Sequence, residues 1–370
     1  MRMVTMSKRK LILEDGTTFI GKAFGSDQVT EGEVVFNTGM TGYQEMMSDP
    51  NYCGHIAVMT YPSIGSYGIN RDDFESITPF INGLVVKEVN HEPSNFRSEE
   101  TLDAFMKRYN IPGISGIDTR MLTRILRDKG TMRGMITDAD TTFESVETVL
   151  KNKEEALLVE KTSITRPYIV PGDGARVVVV DLGMKQTILH ELTNLNCHVT
   201  VVPYDYDVEE ILRFKPDGVL LANGPGNPTY VHKTVQTVQA LLGKTPIFGI
   251  GLGHQILAQA CGAKIAKLKA GNYGTGFPVK DLATDQTWLT TQSRHYYVDE
   301  ESLDGTDLHV TFRSLNDNTI EGLAHDTYPA FSVQFNPEGA PGANDTVYLF
   351  NQFIDLMTEN TEKNGGQQHA

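Results

Sequence analysis

The hydrophobic positions follow different patterns in the two halves of the chain. After residue 175, short runs of β-branched and aliphatic residues alternate with segments of helical spacing. Residues 177–180 and 218–221 are continuous apolar runs of the kind that buried parallel strands have, and residues 186–195 have the spacing of a helix. This alternation with short connections predicts a doubly wound parallel sheet with helices on both faces.

The first half has shorter β-type runs that helices interrupt. Residues 9–15 and 17–23 flank the dipeptide Asp15-Gly16, which predicts a β-hairpin. Asp118 is a candidate N-cap for a helix that Gly130 ends. The pattern indicates a mixed α/β domain, and the fold class of the whole chain is therefore α/β.

Changes of composition divide the chain into four segments. We expect a first domain over residues 1–155 and a second over 176–358. Residues 156–175 contain several Pro and Gly residues and are predicted to be a linker. The polar segment 359–370 is predicted to be a disordered tail.

Charge and cysteine content exclude several classes of function. The 370 residues include 32 Lys+Arg and 47 Asp+Glu, for a formal charge of −15, which opposes binding to nucleic acid or to an anionic membrane. No window has the ~20 apolar residues of a membrane span, and the N-terminus lacks the apolar core of a secretion signal. Three cysteines without CxxC spacing argue against a disulfide framework and a thiolate zinc site and fit a reducing compartment, so we expect a cytoplasmic protein with no metal site.

The segment with the clearest chemistry is 246–255, PIFGIGLGHQ. An apolar strand leads through a turn between glycines into a helix, which is the geometry of a nucleophile elbow. The nucleophile position is Gly251, which has no side chain to attack a substrate.

Several further motifs accompany this elbow. They are residues 223–226 (NGPG), 335–338 (FNPE), 32–45 (GEVVFNTGMTGYQE), 61–62 (YP), 68–75 (GINRDDFE) and 116–120 (GIDTR). The motifs of the second half resemble the class I glutamine amidotransferases. Together with those of the first half, they are similar to the small subunit of carbamoyl-phosphate synthetase over residues 9–357.

The resemblance implies a glutaminase in which a Cys attacks the glutamine amide, a His is its base and a Glu orients the His. The Cys position is Gly251, the His position is Asn336, and Glu338 remains in the third. The glutamine-binding and oxyanion positions implied by the resemblance are Asn51, Gly224, Gly226, Leu252, Gln255, Ser293, His295 and Tyr296. His295 replaces a family Gly and is expected to obstruct the pocket, which argues against glutamine binding.

The resemblance also implies a partner. In the family, a large subunit uses ATP, with Mg expected on that subunit, to make carbamoyl phosphate for arginine or pyrimidine biosynthesis. We expect no cofactor on this chain, a heterodimer with the large subunit, and an interface on the first domain. The motifs leave open which pathway is served.

Three functions follow from these observations. The favoured hypothesis is a pseudo-glutaminase, a structural or regulatory subunit of an ammonia-using synthetase. One alternative is a working glutaminase with an unrecognised nucleophile. The other is a stand-alone ligand-binding pseudoenzyme in which Arg294, His295 and Tyr296 line a new site.

Overall fold

A computed structural model describes residues 7–152 and 157–367, which form two compact units. The first comprises Met1–Ala156 with Lys269–Gly274, and the second comprises Leu157–Leu268 with Thr275–Ala370. The boundary expected after residue 155 adjoins this division. The segment Lys269–Gly274 differs from the expectation, because it belongs to the first unit although the sequence around it continues the second domain.

Seven strands of the first unit close into a barrel in the order β1-β2-β8-β6-β4-β3-β9, and β5 pairs with β7 beside it. The strands are β1 (Lys8–Leu13), β2 (Thr18–Gly25), β3 (Thr30–Asn37), β4 (His55–Met59), β5 (Ser63–Ile64), β6 (Gly83–Val86), β7 (Glu88–Val89), β8 (Pro112–Ser115) and β9 (Met132–Asp138). The helices are α1 (Tyr43–Ser48), α2 (Leu102–Arg108), α3 (Thr119–Lys129) and α4 (Phe143–Lys151). The mixed α/β character is confirmed, whereas no local pattern in the sequence indicates closure into a barrel.

The hairpin and the helix cap that the sequence predicts in the first unit are both present. The β1–β2 pair is an antiparallel hairpin, and Gly16 in its turn has a φ of 84°. The Asp118 side chain accepts a hydrogen bond from the backbone N–H of Met121 and caps α3. Leu122 and Leu126 on one face of α3 pack into the core of this unit.

The second unit is built on a ten-stranded sheet in the order β10-β12-β11-β13-β14-β19-β18-β17-β15-β16. Its strands are β10 (Tyr168–Val170), β11 (Arg176–Asp181), β12 (His198–Pro203), β13 (Gly218–Leu221), β14 (Ile247–Ile250), β15 (Ile265–Asp281), β16 (Thr287–Val298), β17 (Leu308–Ser314), β18 (Ile320–His325) and β19 (Ala330–Val333). Its helices are α5 (Val159–Thr162), α6 (Gln186–Asn194), α7 (Val208–Arg213), α8 (His232–Leu241), α9 (Leu252–Ala260) and α10 (Tyr348–Gln367). Strands β12, β11, β13, β14 and β19 pair in parallel.

Both faces of this parallel sheet are buried. Val177 and Val179 of β11 point into one apolar cluster, and Val178 and Val180 point into another. The first cluster includes residues of α6 and α10, and the second includes residues of α7, α8 and α9. Helices therefore cover the sheet on both sides, which confirms the doubly wound class.

Two segments are more regular than the sequence suggested. The predicted linker contains α5 and β10, and β10 pairs antiparallel with β12 at the sheet edge. The prolines that suggested a linker flank β10, and proline is tolerated at an edge strand. Residues 359–367 of the predicted disordered tail instead continue α10 to Gln367, and residues 368–370 lie outside the described residues. An ion pair between Lys363 and Glu359, four residues apart at 3.9 Å, supports this extension.

Within the ranges that the structure describes, no helix combines the length and the apolar character that crossing a bilayer requires.

Candidate active site

The strand, turn and helix expected around Gly251 are present. Gly251 lies between β14 and α9 with φ 58° and ψ −108°. Its N–H donates to the carbonyl of Val333 at 2.9 Å. A side chain at this φ is strained, and glycine adopts the conformation at little cost. The backbone of a nucleophile elbow is therefore retained at a residue without a nucleophile.

The glycines around the elbow allow α9 to approach the sheet closely. A Cβ on Gly253 would lie 2.2 Å from the carbonyl oxygen of Leu221, and a Cβ on Gly249 would lie 2.7 Å from that of Gly253. Since backbone atoms cannot move away from such contacts, glycine is required at both positions. The tight connection depends on packing and does not depend on whether position 251 has a nucleophile.

We expect the variant Gly251→Cys to be less stable than the native chain by roughly 0.5–2 kcal/mol. The added Cβ would have a positive φ and would lie 3.2 Å from the Cβ of Asn223. Denaturant unfolding of both proteins measures the difference, and Gly251→Ala is the matched control that adds the Cβ without the thiol. A Gly251→Cys protein as stable as the native one would contradict the strain argument.

Asn336 lies at the same edge of the sheet as Gly251. Strands β14 and β19 are parallel neighbours with Ile250 opposite Val333, and Asn336 follows β19 by three residues. The Asn336 side chain is buried, and its Nδ2 has no hydrogen-bond partner among the described residues. A carboxamide does not take up a proton near neutral pH, so Asn336 cannot act as a general base.

Glu338 forms a buried ion pair that no local sequence signal indicates. Lys185, just before α6, donates from its Nζ to Glu338 Oε1 at 2.8 Å and also to the carbonyl of Ala340. Neither side chain is exposed to solvent. A fully buried lysine is rare unless it is paired, and the residue pattern around Lys185 contains no signal for its burial.

The loop after β13 contacts the elbow. Asn223 is the residue that a Cβ on Gly251 would meet, and its Oδ1 accepts a hydrogen bond from the backbone N–H of Lys185 at 3.3 Å. A Cβ on Gly224 would lie 2.3 Å from the Leu182 carbonyl oxygen, and Gly226 has a φ of 91°. Gly224 and Gly226 are thus required by the backbone geometry of this loop.

The side chain of Gln255, a predicted pocket residue, forms hydrogen bonds within the protein. Its Nε2 donates to the Gln334 side chain at 2.9 Å and to the Tyr296 carbonyl at 3.1 Å. Leu252 is buried at the start of α9. Both residues are therefore buried in the first turns of α9, which follows the elbow.

Arg294 belongs to the segment that lines a new site in the ligand-binding alternative. It lies on β16 with Ser293, His295 and Tyr296, and both Arg294 and His295 are buried. The Arg294 guanidinium forms an ion pair with Glu321 and donates to Thr319 Oγ1 at 2.8 Å. Its charge is therefore engaged inside the protein, which argues against the ligand-binding alternative.

Burial shifts two titratable groups near this ion pair. The carboxyl of Glu321 has its pKa raised from 4.5 to about 7, chiefly by loss of hydration. Burial and the charge of Arg294 lower the pKa of His254 to about 3, and His254 Nδ1 lies 2.8 Å from Ser332 Oγ. His254 is therefore a neutral structural residue.

Asn51 is the one predicted position in the first unit. It is buried, and its backbone N–H and side-chain Nδ2 both donate to Asp49 Oδ1. The other predicted positions all lie in the second unit.

Neither Cys197 nor Cys261 has the environment of a catalytic thiol. Cys261 lies at the C-terminal end of α9, opposite the end that begins after Gly251. Burial raises the pKa of the Cys197 and Cys261 thiols to about 11, and Cys53 is buried in the first unit. An activated catalytic thiol has a lowered pKa, so neither Cys197 nor Cys261 is activated.

Comparison with known proteins assigns the class and then the family. Residues 178–356 match the family model described as glutamine amidotransferase class-I, and the second unit has that class I fold. Residues 11–136 match the model described as carbamoyl-phosphate synthase small chain, CPSase domain. The chain belongs to the carbamoyl-phosphate synthase small chain family.

Relatives align over nearly the whole chain. The carbamoyl phosphate synthase small chain of Oceanobacillus iheyensis is 55% identical over 99% of this chain and 100% of its own length. The pyrimidine-specific small chains of Halalkalibacterium halodurans and Bacillus subtilis are 56% and 52% identical, over 96% and 97% of this chain and 99% and 98% of their own lengths.

Proposed function

We propose that this chain is a carbamoyl-phosphate synthase small subunit without glutaminase activity, in a complex that takes ammonia directly. Membership of the small chain family over both domains supports the subunit role. The observation that carries the loss of activity is Gly251 at the apex of an intact elbow. A position built to present a nucleophile has none.

The loss extends beyond one residue. Amide hydrolysis by this class requires a thiolate and a base that accepts the thiol proton. Asn336 cannot accept that proton, and Glu338 is paired with Lys185. Restoring a thiol at position 251 alone would leave it without a base.

Side chains at and beside the predicted glutamine-binding positions are engaged in contacts within the chain. Arg294 and Glu321 form a buried ion pair, and Gln255 is engaged by Gln334 and Tyr296. These side chains already pair with other groups of the chain, and this supports the proposal that glutamine does not bind. The proposed subunit therefore acts by structure or regulation.

We infer that the chain forms a heterodimer with the large subunit, which binds the ATP and Mg. The first unit supplies the interface in this proposal. Cys53, Cys197 and Cys261 are not joined by disulfides, which fits a reducing compartment, and we place the complex in the cytoplasm.

The test mixes the purified chain with the large subunit of the same organism and supplies glutamine or ammonium in parallel. We expect the two chains to co-purify and to form carbamoyl phosphate from ammonium. With glutamine, we expect no glutamate release above that of the large subunit alone. Glutamate released in step with carbamoyl phosphate would overturn the loss of glutaminase, and failure to co-purify would overturn the subunit role. Cys261→Ser is the control: any release that it abolished would identify that thiol as the nucleophile.

A further inference from the structure

The first unit contains a broad groove lined by cationic side chains. Its volume is about 1400 Å³, and its wall includes parts of β7, β8 and α3. The lining includes two carboxylates, those of Glu88 and Asp118. It includes five cationic side chains, which are Lys22, Lys87, Arg120, Arg124 and Arg127. A net positive groove stands out on a chain whose formal charge is −15.

The geometry of α3 aligns three of these cations. Arg120, Arg124 and Arg127 are spaced by four and three residues, so they share one face of the helix over about 10 Å. All three are exposed, whereas Leu122 and Leu126 on another face are buried. The packing of α3 therefore turns the arginine row outward.

This row is unfavourable for the isolated chain. Like charges at these helical spacings cost roughly 0.2–0.5 kcal/mol per pair. Among the residues that the structure describes, Lys22, Lys87, Arg120 and Arg124 form no ion pair. Arg127 approaches the carboxylate of the adjacent residue at 3.7 Å, and both of those side chains are exposed.

Other cations of the same unit are paired with carboxylates. The pairs are Lys107 with Asp103, Lys129 with Asp15, Arg133 with Glu31 and Lys151 with Glu147. The Asp118 side chain in the groove is engaged in capping α3. The groove thus gathers cations whose charge is not balanced within the chain.

We propose that this groove is the docking site for an acidic segment of the synthase large subunit. The proposal rests on the proposed function, which supplies that partner. A row of arginines matches successive carboxylates on a polypeptide, and the groove is larger than the ~300–1,000 Å³ typical of small-molecule pockets. The charge of the rest of the chain opposes binding to nucleic acid.

The test compares binding of the large subunit by the native chain and by Arg120→Glu/Arg124→Glu, using surface immobilisation at 50 and 300 mM KCl. We expect the double variant to bind at least about tenfold more weakly at the lower salt, because like charges would face each other. Lys233→Glu/Lys244→Glu is the matched control, since both lysines are exposed on the second unit and the charge change is the same. It should bind within about twofold of the native chain.

Two further measurements separate the possible outcomes. Arg120→Lys/Arg124→Lys keeps the charge and should retain most of the affinity, and thermal unfolding checks that each variant is folded. Native binding should weaken with salt more steeply than binding by Arg120→Glu/Arg124→Glu. If the native chain binds and the reversed variant binds equally well, the groove proposal fails and the proposed function stands. If the native chain does not bind at all, both fail.

Discussion

Replacement of Arg294 by methionine is expected to destabilise the second unit by about 3–5 kcal/mol at pH 8. The substitution removes the cation that pairs with Glu321, so at pH 8 this buried group is either an unpaired carboxylate or takes up a proton at a cost in free energy. The loss should depend on pH. Glu321 already has its pKa raised to about 7, and the charge of Arg294 lowers that value, so the variant's pKa will be higher still.

The sign of the pH dependence follows from proton binding. Between pH 4.5 and 7 the folded native chain holds a proton on Glu321 that the unfolded chain releases, so this group lowers the free energy of unfolding as pH rises. In Arg294→Met the window extends to higher pH. At pH 5.5 Glu321 is protonated, and the cost should fall to the roughly 1–3 kcal/mol of lost hydrogen bonds.

The measurement is denaturant unfolding of native chain and variant at pH 5.5 and pH 8. Arg294→Met/Glu321→Gln is the matched control: it has no titrating group at position 321, so its free energy of unfolding should lack the decrease between pH 5.5 and pH 8 that Glu321 causes in Arg294→Met. An equal loss for Arg294→Met at both pH values would show that an unpaired Glu321 carboxylate is not its cause.

The second large effect is expected from Lys185→Met. This substitution leaves the carboxylate of Glu338 fully buried without its ammonium partner, at a cost of about 3–5 kcal/mol. For a unit of this size each kcal/mol corresponds to a decrease of about 2–4 °C in Tm. Calorimetry or denaturant unfolding gives the value directly.

Removing both members of the pair tests whether the unpaired Glu338 is the cause of the loss. We expect Lys185→Met/Glu338→Gln to be more stable than Lys185→Met, because it removes the buried charge as well as its partner. Lys233→Met, at an exposed site, is the control and should change stability by less than about 0.5 kcal/mol. A loss below about 1 kcal/mol for Lys185→Met would mean that Glu338 is not held as a charged group.

The local elements could be predicted because each has a local cause. The Asp15-Gly16 turn, the Asp118 cap and the continuous apolar run of β11 act within a few residues. The sheet order and the barrel could not be predicted, since they depend on strands that are far apart in sequence. β10 was missed because its three residues carry little pattern and gain their stability by pairing with β12.

In the candidate site, too, residue types could be read from the sequence, whereas side-chain pairings could not. Gly251 and Asn336 were recognised from the sequence, because the absence of a nucleophile and of a base follows from residue type alone. The pairing of Lys185 with Glu338 joins residues 153 positions apart, and that of Arg294 with Glu321 joins residues 27 apart. No local pattern specifies either partner.

The sequence by itself thus determined the alternation of strands and helices over residues 177–260 and the absence of a thiol at position 251 and of an imidazole at position 336. Periodicity fixes which positions are buried, and side-chain chemistry fixes what a residue can do. The tertiary structure decided which buried charges neutralise each other and which face of α3 presents its arginines. Those features depend on which elements meet in space, and the free energy of burying a charge is set by the partner that it finds there.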